Sequence, residues 1–209
     1  MNLPNAITAF RIVLAPVTAL LLLQPGSGSR LLAMGVFLVA ALSDLADGAL
    51  ARQRGEITDF GKLWDPIADK LLLVATLIPF YVVTRAHPEL GRLPLFGGIG
   101  LWVLAIFFGR EIVVTWLRTR AARRGLVVAA RRSGKYKAFA QNVFIGSMIL
   151  WLAYRSAVVA TGEQPIGPGW EAFHGWFTSA SLVVAIALTA YSFFVYWLAF
   201  RRPVDEAGP

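Results

Sequence analysis

The sequence contains no cysteine and only two histidines, His87 and His174. Without cysteine the chain forms no disulfide and offers no thiolate to a metal. Cysteine usage therefore does not indicate whether the protein resides in an oxidising or a reducing compartment. Acidic residues are also few, with 12 Asp and Glu against 20 Lys and Arg and a formal net charge of +8. There is no repeat of fixed period and no low-complexity segment. These absences exclude disulfide-stapled domains, thiolate-metal proteins and repeat arrays.

Hydrophobic residues dominate instead. They make up 57% of the 209 residues, and the mean hydropathy is +0.62, far above the average of soluble domains. A membrane-spanning helix needs about 20 predominantly apolar residues, and six segments of the sequence qualify. We therefore predict an all-α integral membrane protein with a single domain over residues 1–209. Its six transmembrane helices are predicted near residues 5–24, 30–48, 65–84, 94–117, 137–154 and 177–200.

The distribution of basic residues predicts the topology. No basic stretch precedes the first apolar run and no cleavage site follows it, so we expect a retained first helix. With a cytoplasmic N-terminus, only Arg30, Arg85, Arg92 and Arg155 of the 20 basic residues lie outside, as the positive-inside tendency requires. We expect a multi-pass protein of the cell membrane with both termini in the cytoplasm. The net charge reflects topology and attraction to anionic lipids, not nucleic-acid binding.

Half of the acidic residues, six of 12, lie in SDLADGALARQRGEITDFGKLWDPIADK, residues 43–70, between the second and third predicted helices. Asp44 and Asp47 are three residues apart and Asp65 and Asp69 are four apart, so each pair shares one helix face. A short link joins the two helices, so we expect them to run antiparallel and the four carboxylates to converge. Such charges near hydrocarbon need cations.

Two sources could supply the positive charge that the four carboxylates need. One is a salt-bridge cluster with Arg52, Arg54, Lys62 and Lys70. The other is bound metal, since ligands that are all oxygen favour a hard ion such as Mg²⁺ or Mn²⁺. Two such ions sharing the carboxylates would clamp phosphate oxygens.

Residues between the carboxylate pairs also suit a phosphate ligand. Arg52 lies one turn beyond Gly48 and can point a guanidinium at phosphate. Thr58 either donates to phosphate or caps the next helix. Gly48 and Gly61 either let a ligand approach the backbone or allow close helix packing.

The segment resembles the signature of the CDP-alcohol phosphatidyltransferases at its fixed positions, which are Asp44, Asp47, Gly48, Ala51, Arg52, Gly61, Asp65 and Asp69. The resemblance implies six transmembrane helices, a site facing the cytoplasm, and transfer of a phosphatidyl group from a CDP-lipid to an alcohol with release of CMP. It also implies two divalent cations held by Asp44, Asp47, Asp65 and Asp69, with Asp69 as the general base. Gly48, Arg52 and Thr58 fall where the family binds the CDP moiety.

The beginning of the chain, NLPNAITAFRIVLAP, and GKLWDPIADKLLL at 61–73 look like the branch of this family whose acceptor is glycerol 3-phosphate. Asn5, Thr8 and Arg11 lie three apart on one face, unusual at the start of a membrane helix. They either cap the helix and snorkel or bind a ligand. We predict that Asn5 and Thr8, together with Gly61, bind the CDP-lipid, CDP-diacylglycerol.

Nine basic residues between positions 109 and 141 exceed what topology requires and favour an anionic acceptor. We predict that Arg110, Arg118, Lys135 and Lys137 line a phosphate pocket next to the metal site. Arg110 can alternatively form a structural pair with Glu111.

Two departures from the branch pattern, Trp116 and Ala138, leave inositol phosphate as an alternative acceptor. An ion-coupled transporter is the alternative of another class, but the acidic residues cluster at one membrane surface and no repeat is visible.

Both histidines are expected in outer loops, solvated or interfacial. Gly100 and Gly146 permit close helix packing within the chain or in a homodimer.

Overall fold

The structure is a computed structural model. It describes the backbone of residues 3–54, 59–122 and 132–201, and the side chains of residues 6–43, 64, 66–121, 134–167, 169–198 and 200. Within these ranges the chain is helical with no strand, so the predicted all-α fold is confirmed. The six helices are α1 (Leu3–Leu23), α2 (Ser27–Arg54), α3 (Asp59–Ala86), α4 (Leu101–Ala122), α5 (Arg132–Thr161) and α6 (Pro168–Arg201).

Four of these helices are long and apolar enough to cross a membrane. The candidate spans are Ala6–Leu23, Pro66–Ala86, Gly134–Thr161 and Gly169–Leu198. In α2 the described side chains include a shorter apolar stretch, Ser27–Ser43. The four charged residues of α4, Arg110, Glu111, Arg118 and Arg120, interrupt its apolar sequence. The protein is thus an all-α membrane protein, and spans in α2 and α4 remain predictions.

Several helix ends differ from the predicted ones. Residues 155–176 lie between the fifth and sixth predicted helices, but the connection is confined to residues 162–167 between α5 and α6. Residues 94–100 precede α4 instead of belonging to it. Hydropathy reports the part of a helix that lies in lipid, and polar turns extend beyond it. Gly162 ends α5 with φ of +72° and donates its N–H to the carbonyl of Val158 at 2.8 Å, as a glycine does after a helix terminus.

The chain forms two compact units. Unit 1 comprises Met1–Ile99 and Ile145–Thr178, and unit 2 comprises Gly100–Phe144 and Ser179–Pro209. In unit 1, α1 packs against both α2 and α3. Gly146 of α5 faces α2 in the same unit, because a Cβ there would lie 3.4 Å from Met34 Cε. The core of unit 2 includes Phe107 and Phe144, whose rings stack at 6.4 Å.

Gly175 of α6 permits a closer approach than Gly146 does. A Cβ at this position would lie 3.1 Å from the ring of Trp151 and 3.2 Å from Pro94, and the Trp151 side chain is fully buried. We expect Gly175→Ala to lower the melting temperature in detergent, because neither ring can yield without a cost of about 1 kcal/mol or more. Gly35→Ala in α2 is the matched control, since nothing lies within 4 Å of its added Cβ. A melting temperature raised equally in both variants would contradict this packing.

Candidate functional site

The first cluster of functional residues joins α1 to α3 in unit 1. Arg11 Nη1 donates to Asp69 Oδ1 at 2.8 Å. The Arg11 side chain is 3% exposed, whereas that of Asp69 is 58% exposed. Thr8, one turn before Arg11 on the same face of α1, is also buried. A buried guanidinium therefore holds an accessible carboxylate at the beginning of α3.

Arg11 has a role that the sequence did not settle. Its position in an apolar helix suggested either snorkelling or ligand binding, yet the structure pairs it with the predicted general base. Isolated charges in a membrane protein interior are costly, and a paired, hydrogen-bonded carboxylate offsets that cost. The charge-assisted bond limits the orientations that the Asp69 carboxylate adopts. An arginine at the ninth position of the apolar helix α1 was the only sequence signal for this contact.

Most of the other predicted residues of this site lie outside the described side chains. Asp44, Asp47, Gly48 and Arg52 belong to α2, and Gly61 and Asp65 belong to α3. Asn5 lies in the first turn of α1, and Thr58 falls outside the described backbone. The helical backbone does place Asp44 and Asp47 on one face of α2, and Asp65 and Asp69 on one face of α3. Their predicted roles remain predictions.

The predicted metal can be compared with the donors that surround Asp69. No group of three or more His, Cys, Asp or Glu residues suited to a metal occurs among the side chains that the structure describes, which include Asp69 but not the other three aspartates. His87 follows the end of α3, 18 residues and about 27 Å along the helix from Asp69. The proposed ligand that the structure describes here, the Asp69 carboxylate, offers oxygen donors, which fit a hard divalent cation.

The second cluster lies in unit 2 around Glu111. Arg110 Nη1 lies 3.0 Å from Glu111 Oε1, and Lys137 Nζ pairs with the same oxygen. The side chains of Arg110 and Lys137 are about nine-tenths buried. The structural pair of Arg110 and Glu111 that the sequence left open is therefore present, and it brings Lys137 of α5 to Arg110 of α4.

Tyr196 of α6 joins Arg118 to this cluster. The Arg118 guanidinium carbon lies 4.8 Å from the centre of the Tyr196 ring and that of Arg110 lies 5.6 Å from it. Arg118 Nη2 donates to the Tyr196 hydroxyl, and Arg110 Nε donates to Ser192 Oγ at 3.2 Å. Three cations and one carboxylate give this cluster a net charge of +2. Sequence reasoning did not find Tyr196 and Ser192, because an isolated Tyr or Ser in an apolar helix carries no signal.

Lys135, the fourth residue predicted for the acceptor pocket, lies two positions before Lys137 in α5. Residues two apart point to nearly opposite sides of a helix. Accordingly Lys135 is exposed while Lys137 is buried. The structure thus brings Arg110, Arg118 and Lys137 together and leaves the role of Lys135 as a prediction.

One expectation about the histidines is wrong. His87 is exposed after α3, but His174 lies inside α6 and is 4% exposed. Its ring packs against Trp151 and Trp170, and Nε2 lies 3.3 Å from Ser147 Oγ. The reason is the early start of α6 at Pro168, which buries a residue that hydropathy assigned to a loop.

Comparison with known proteins shows the family of the chain. Residues 1–191 match the family described as CDP-alcohol phosphatidyltransferase. A probable phosphatidylglycerophosphate synthase of Mycobacterium tuberculosis (strain H37Rv) is 39% identical over 155 residues, covering 73% of this chain and 68% of the relative.

Two further relatives carry the name CDP-diacylglycerol–glycerol-3-phosphate 3-phosphatidyltransferase. The protein of Bacillus subtilis (strain 168) is 36% identical over 200 residues, covering 82% of this chain and 96% of the relative. The protein of Escherichia coli (strain K12) is 32% identical over 202 residues, covering 96% of this chain and 95% of the relative.

Proposed function

Because the chain belongs to the CDP-alcohol phosphatidyltransferase family, we propose that it transfers the phosphatidyl group of CDP-diacylglycerol to glycerol 3-phosphate and releases CMP. The product is phosphatidylglycerophosphate, a phospholipid precursor. The names of relatives at 32–39% identity support this reaction. The observation that carries it is the exposed carboxylate of Asp69, held by the buried Arg11 at 2.8 Å.

Asp69 is the general base of the proposed mechanism. Its carboxylate takes the proton of the acceptor hydroxyl as that oxygen bonds to the lipid-linked phosphorus. The bond from this phosphorus to the bridging oxygen breaks, and CMP carries that oxygen away. A carboxylate with a reference pKa near 4 is a weak base for an alcohol, so the orientation that Arg11 gives it matters.

We infer that Asp44, Asp47, Asp65 and Asp69 would hold two divalent cations, Mg²⁺ or Mn²⁺. Bound there, they supply positive charge that neutralises the pyrophosphate of the CDP-lipid. The oxygen donors of the Asp69 carboxylate support this assignment. For the CDP-lipid itself we propose binding by Asn5, Thr8, Gly48, Arg52, Thr58 and Gly61.

For the acceptor we propose binding of its phosphate by Arg110, Arg118 and Lys137, with Lys135. The net charge of +2 in the Glu111 cluster supports an anionic acceptor, and arginine forks suit phosphate oxygens. A neutral acceptor such as serine would give this positive charge no evident role. Inositol phosphate remains the second candidate, because it carries the same group and Trp116 and Ala138 depart from the branch pattern.

We further propose that the site faces the cytoplasm of a cell-membrane protein, because the basic residues predict that orientation. Glycerol 3-phosphate is water-soluble and CDP-diacylglycerol is a membrane lipid, so a site at the membrane surface gives access to both. A homodimer remains a proposal, with Gly146 already engaged inside the chain.

The test is CMP release by purified protein supplied with CDP-diacylglycerol and Mg²⁺. We expect release with glycerol 3-phosphate, a slower rate with inositol phosphate, and background rates with serine. A chelator should abolish release and excess Mg²⁺ should restore it. The absence of CMP with every acceptor would contradict the proposed function, and faster release with serine would contradict the proposed acceptor.

Arg118→Gln tests the acceptor cluster separately. Loss of one charge-assisted hydrogen bond to phosphate should raise the KM for glycerol 3-phosphate about tenfold or more, with the KM for CDP-diacylglycerol unchanged. Arg118 is exposed, so the fold should tolerate the change. The matched control is Arg120→Gln on the same helix, whose guanidinium stacks over Trp116 at 5.2 Å. An equal rise of KM in both variants would show that it comes from the loss of any positive charge on α4, and not from a specific contact of Arg118 with phosphate.

A further inference from the structure

A crevice of about 340 Å³ in unit 1 carries charge that the proposed reaction does not use. It is lined by the ends of α1, α3 and α5 and the beginning of α2. Val83 of its lining lies 14 residues beyond Asp69 in α3, so the crevice is about 20 Å from Asp69 along the helix axis. It therefore belongs to the opposite end of unit 1.

Arg30 supplies a buried positive charge to the crevice. Its side chain is 3% exposed, Nη1 donates to Ser156 Oγ, and Nε has no hydrogen-bond partner. The ion pairs formed between described residues do not include Arg30. Burying a guanidinium with one neutral acceptor is costly, and an anion would offset that cost.

Glu89 supplies a negative charge to the same crevice. Its carboxylate is 40% exposed and lies 3.3 Å from His87 Nδ1. Its backbone carbonyl accepts hydrogen bonds from Arg155 Nη2 at 2.9 Å and Nε at 3.2 Å. Arg155 is in turn held by Glu171. The backbone of Glu89 is thus anchored while its carboxylate stays accessible.

Apolar side chains complete the crevice. Leu23 and Val159 are about half exposed, while Val83 and Leu90 are buried. The same end of unit 1 exposes Leu20 and Leu31, a surface typical of contact with lipid. The crevice thus opens beside an apolar surface and holds one buried cation and one accessible carboxylate.

We propose that this crevice binds the headgroup of an aminophospholipid, with its phosphate on Arg30 and its primary ammonium on Glu89. A guanidinium suits phosphate oxygens, and the ammonium donates to the carboxylate while the apolar walls hold the glycerol and the first methylenes. One positive and one negative group of the protein match one negative and one positive group of the lipid. A purely anionic headgroup offers no ammonium to Glu89, whose described partner is the His87 ring.

The test is native mass spectrometry of the full-length protein in detergent. It is supplied with equal amounts of phosphatidylethanolamine and phosphatidylcholine of the same acyl chains. The two lipids have the same net charge, and only the ethanolamine nitrogen donates hydrogen bonds. We expect preferential retention of phosphatidylethanolamine. Arg30→Gln should weaken retention of both lipids about tenfold, and Glu89→Gln should remove the preference alone.

Two further variants make the result decisive. Arg85→Gln removes an exposed charge of α3 outside the crevice lining and should change nothing. Ala160→Trp places a bulky ring on an exposed residue of the lining and should abolish retention with Arg30 and Glu89 intact, even if Arg30→Gln fails to fold. Equal retention of the two lipids by the unmodified protein would overturn the proposal. So would full retention in Ala160→Trp.

Discussion

Asp69→Asn should reduce kcat for CMP release by about 10²–10⁴-fold, the range that a positioned general base contributes. The amide keeps the size of the side chain and can still face Arg11, but it cannot take the proton of the acceptor hydroxyl. The KM for glycerol 3-phosphate should change far less, because its phosphate is proposed to bind the cations of unit 2. Initial rates at saturating CDP-diacylglycerol measure both parameters.

Asp59→Asn is the control for this prediction, as an aspartate of the same segment outside the family signature. It should keep the unmodified kcat. Because Asp69 is also a proposed metal ligand, the rates are measured over a range of Mg²⁺ concentrations. A loss that excess Mg²⁺ repairs would assign Asp69 to metal binding alone, and unchanged turnover in Asp69→Asn would remove it from the mechanism.

Arg11→Met should lower kcat about ten- to a hundredfold, since the charge-assisted bond to Asp69 is worth about 1.5–3 kcal/mol. Methionine fills much of the buried space without the charge. Arg11 is a positioning residue, so Arg11→Lys should recover part of the rate by restoring a cation near Asp69 Oδ1. Arg85→Gln, an exposed arginine of α3, controls for loss of charge.

A double variant separates positioning from a general loss of stability. If Arg11 acts through Asp69, Arg11→Met combined with Asp69→Asn should be no slower than Asp69→Asn alone. Effects that multiply would show that Arg11 acts independently of the base. The melting temperature of each variant is measured in the same detergent, so that unfolded protein is not counted as inactive.

Hydropathy and spacing predicted the six helices and the helix assignment of the four aspartates. They did not predict where helices end, because residues 155–161 and 168–176 continue helices beyond the most apolar part of the sequence. His174 became a buried residue for this reason. The excess of basic residues between positions 109 and 141 also pointed to Arg110, Arg118 and Lys137, since charged residues next to apolar sequence stand out.

Contacts between helices were not predictable from these patterns. The ion pair of Arg11 and Asp69 joins residues 58 apart, and the bond from Arg118 to Tyr196 joins residues 78 apart. Neither sequence neighbourhood indicates its partner. Lys135 and Lys137 looked equivalent in sequence, whereas the helical rotation between them exposes one and buries the other.

The most direct measurement follows the 1-hydroxyl oxygen of glycerol 3-phosphate, labelled with ¹⁸O, through a reaction with CDP-diacylglycerol and Mg²⁺. The proposed mechanism predicts that mass spectrometry finds the label in phosphatidylglycerophosphate and finds CMP without it, because the acceptor oxygen bonds to the lipid-linked phosphorus. Attack on the phosphorus of the CMP moiety would instead give phosphatidic acid and a labelled cytidylyl ester of glycerol 3-phosphate, and these products would contradict the site of attack. Phosphatidic acid formed with an oxygen from water would show hydrolysis instead of transfer.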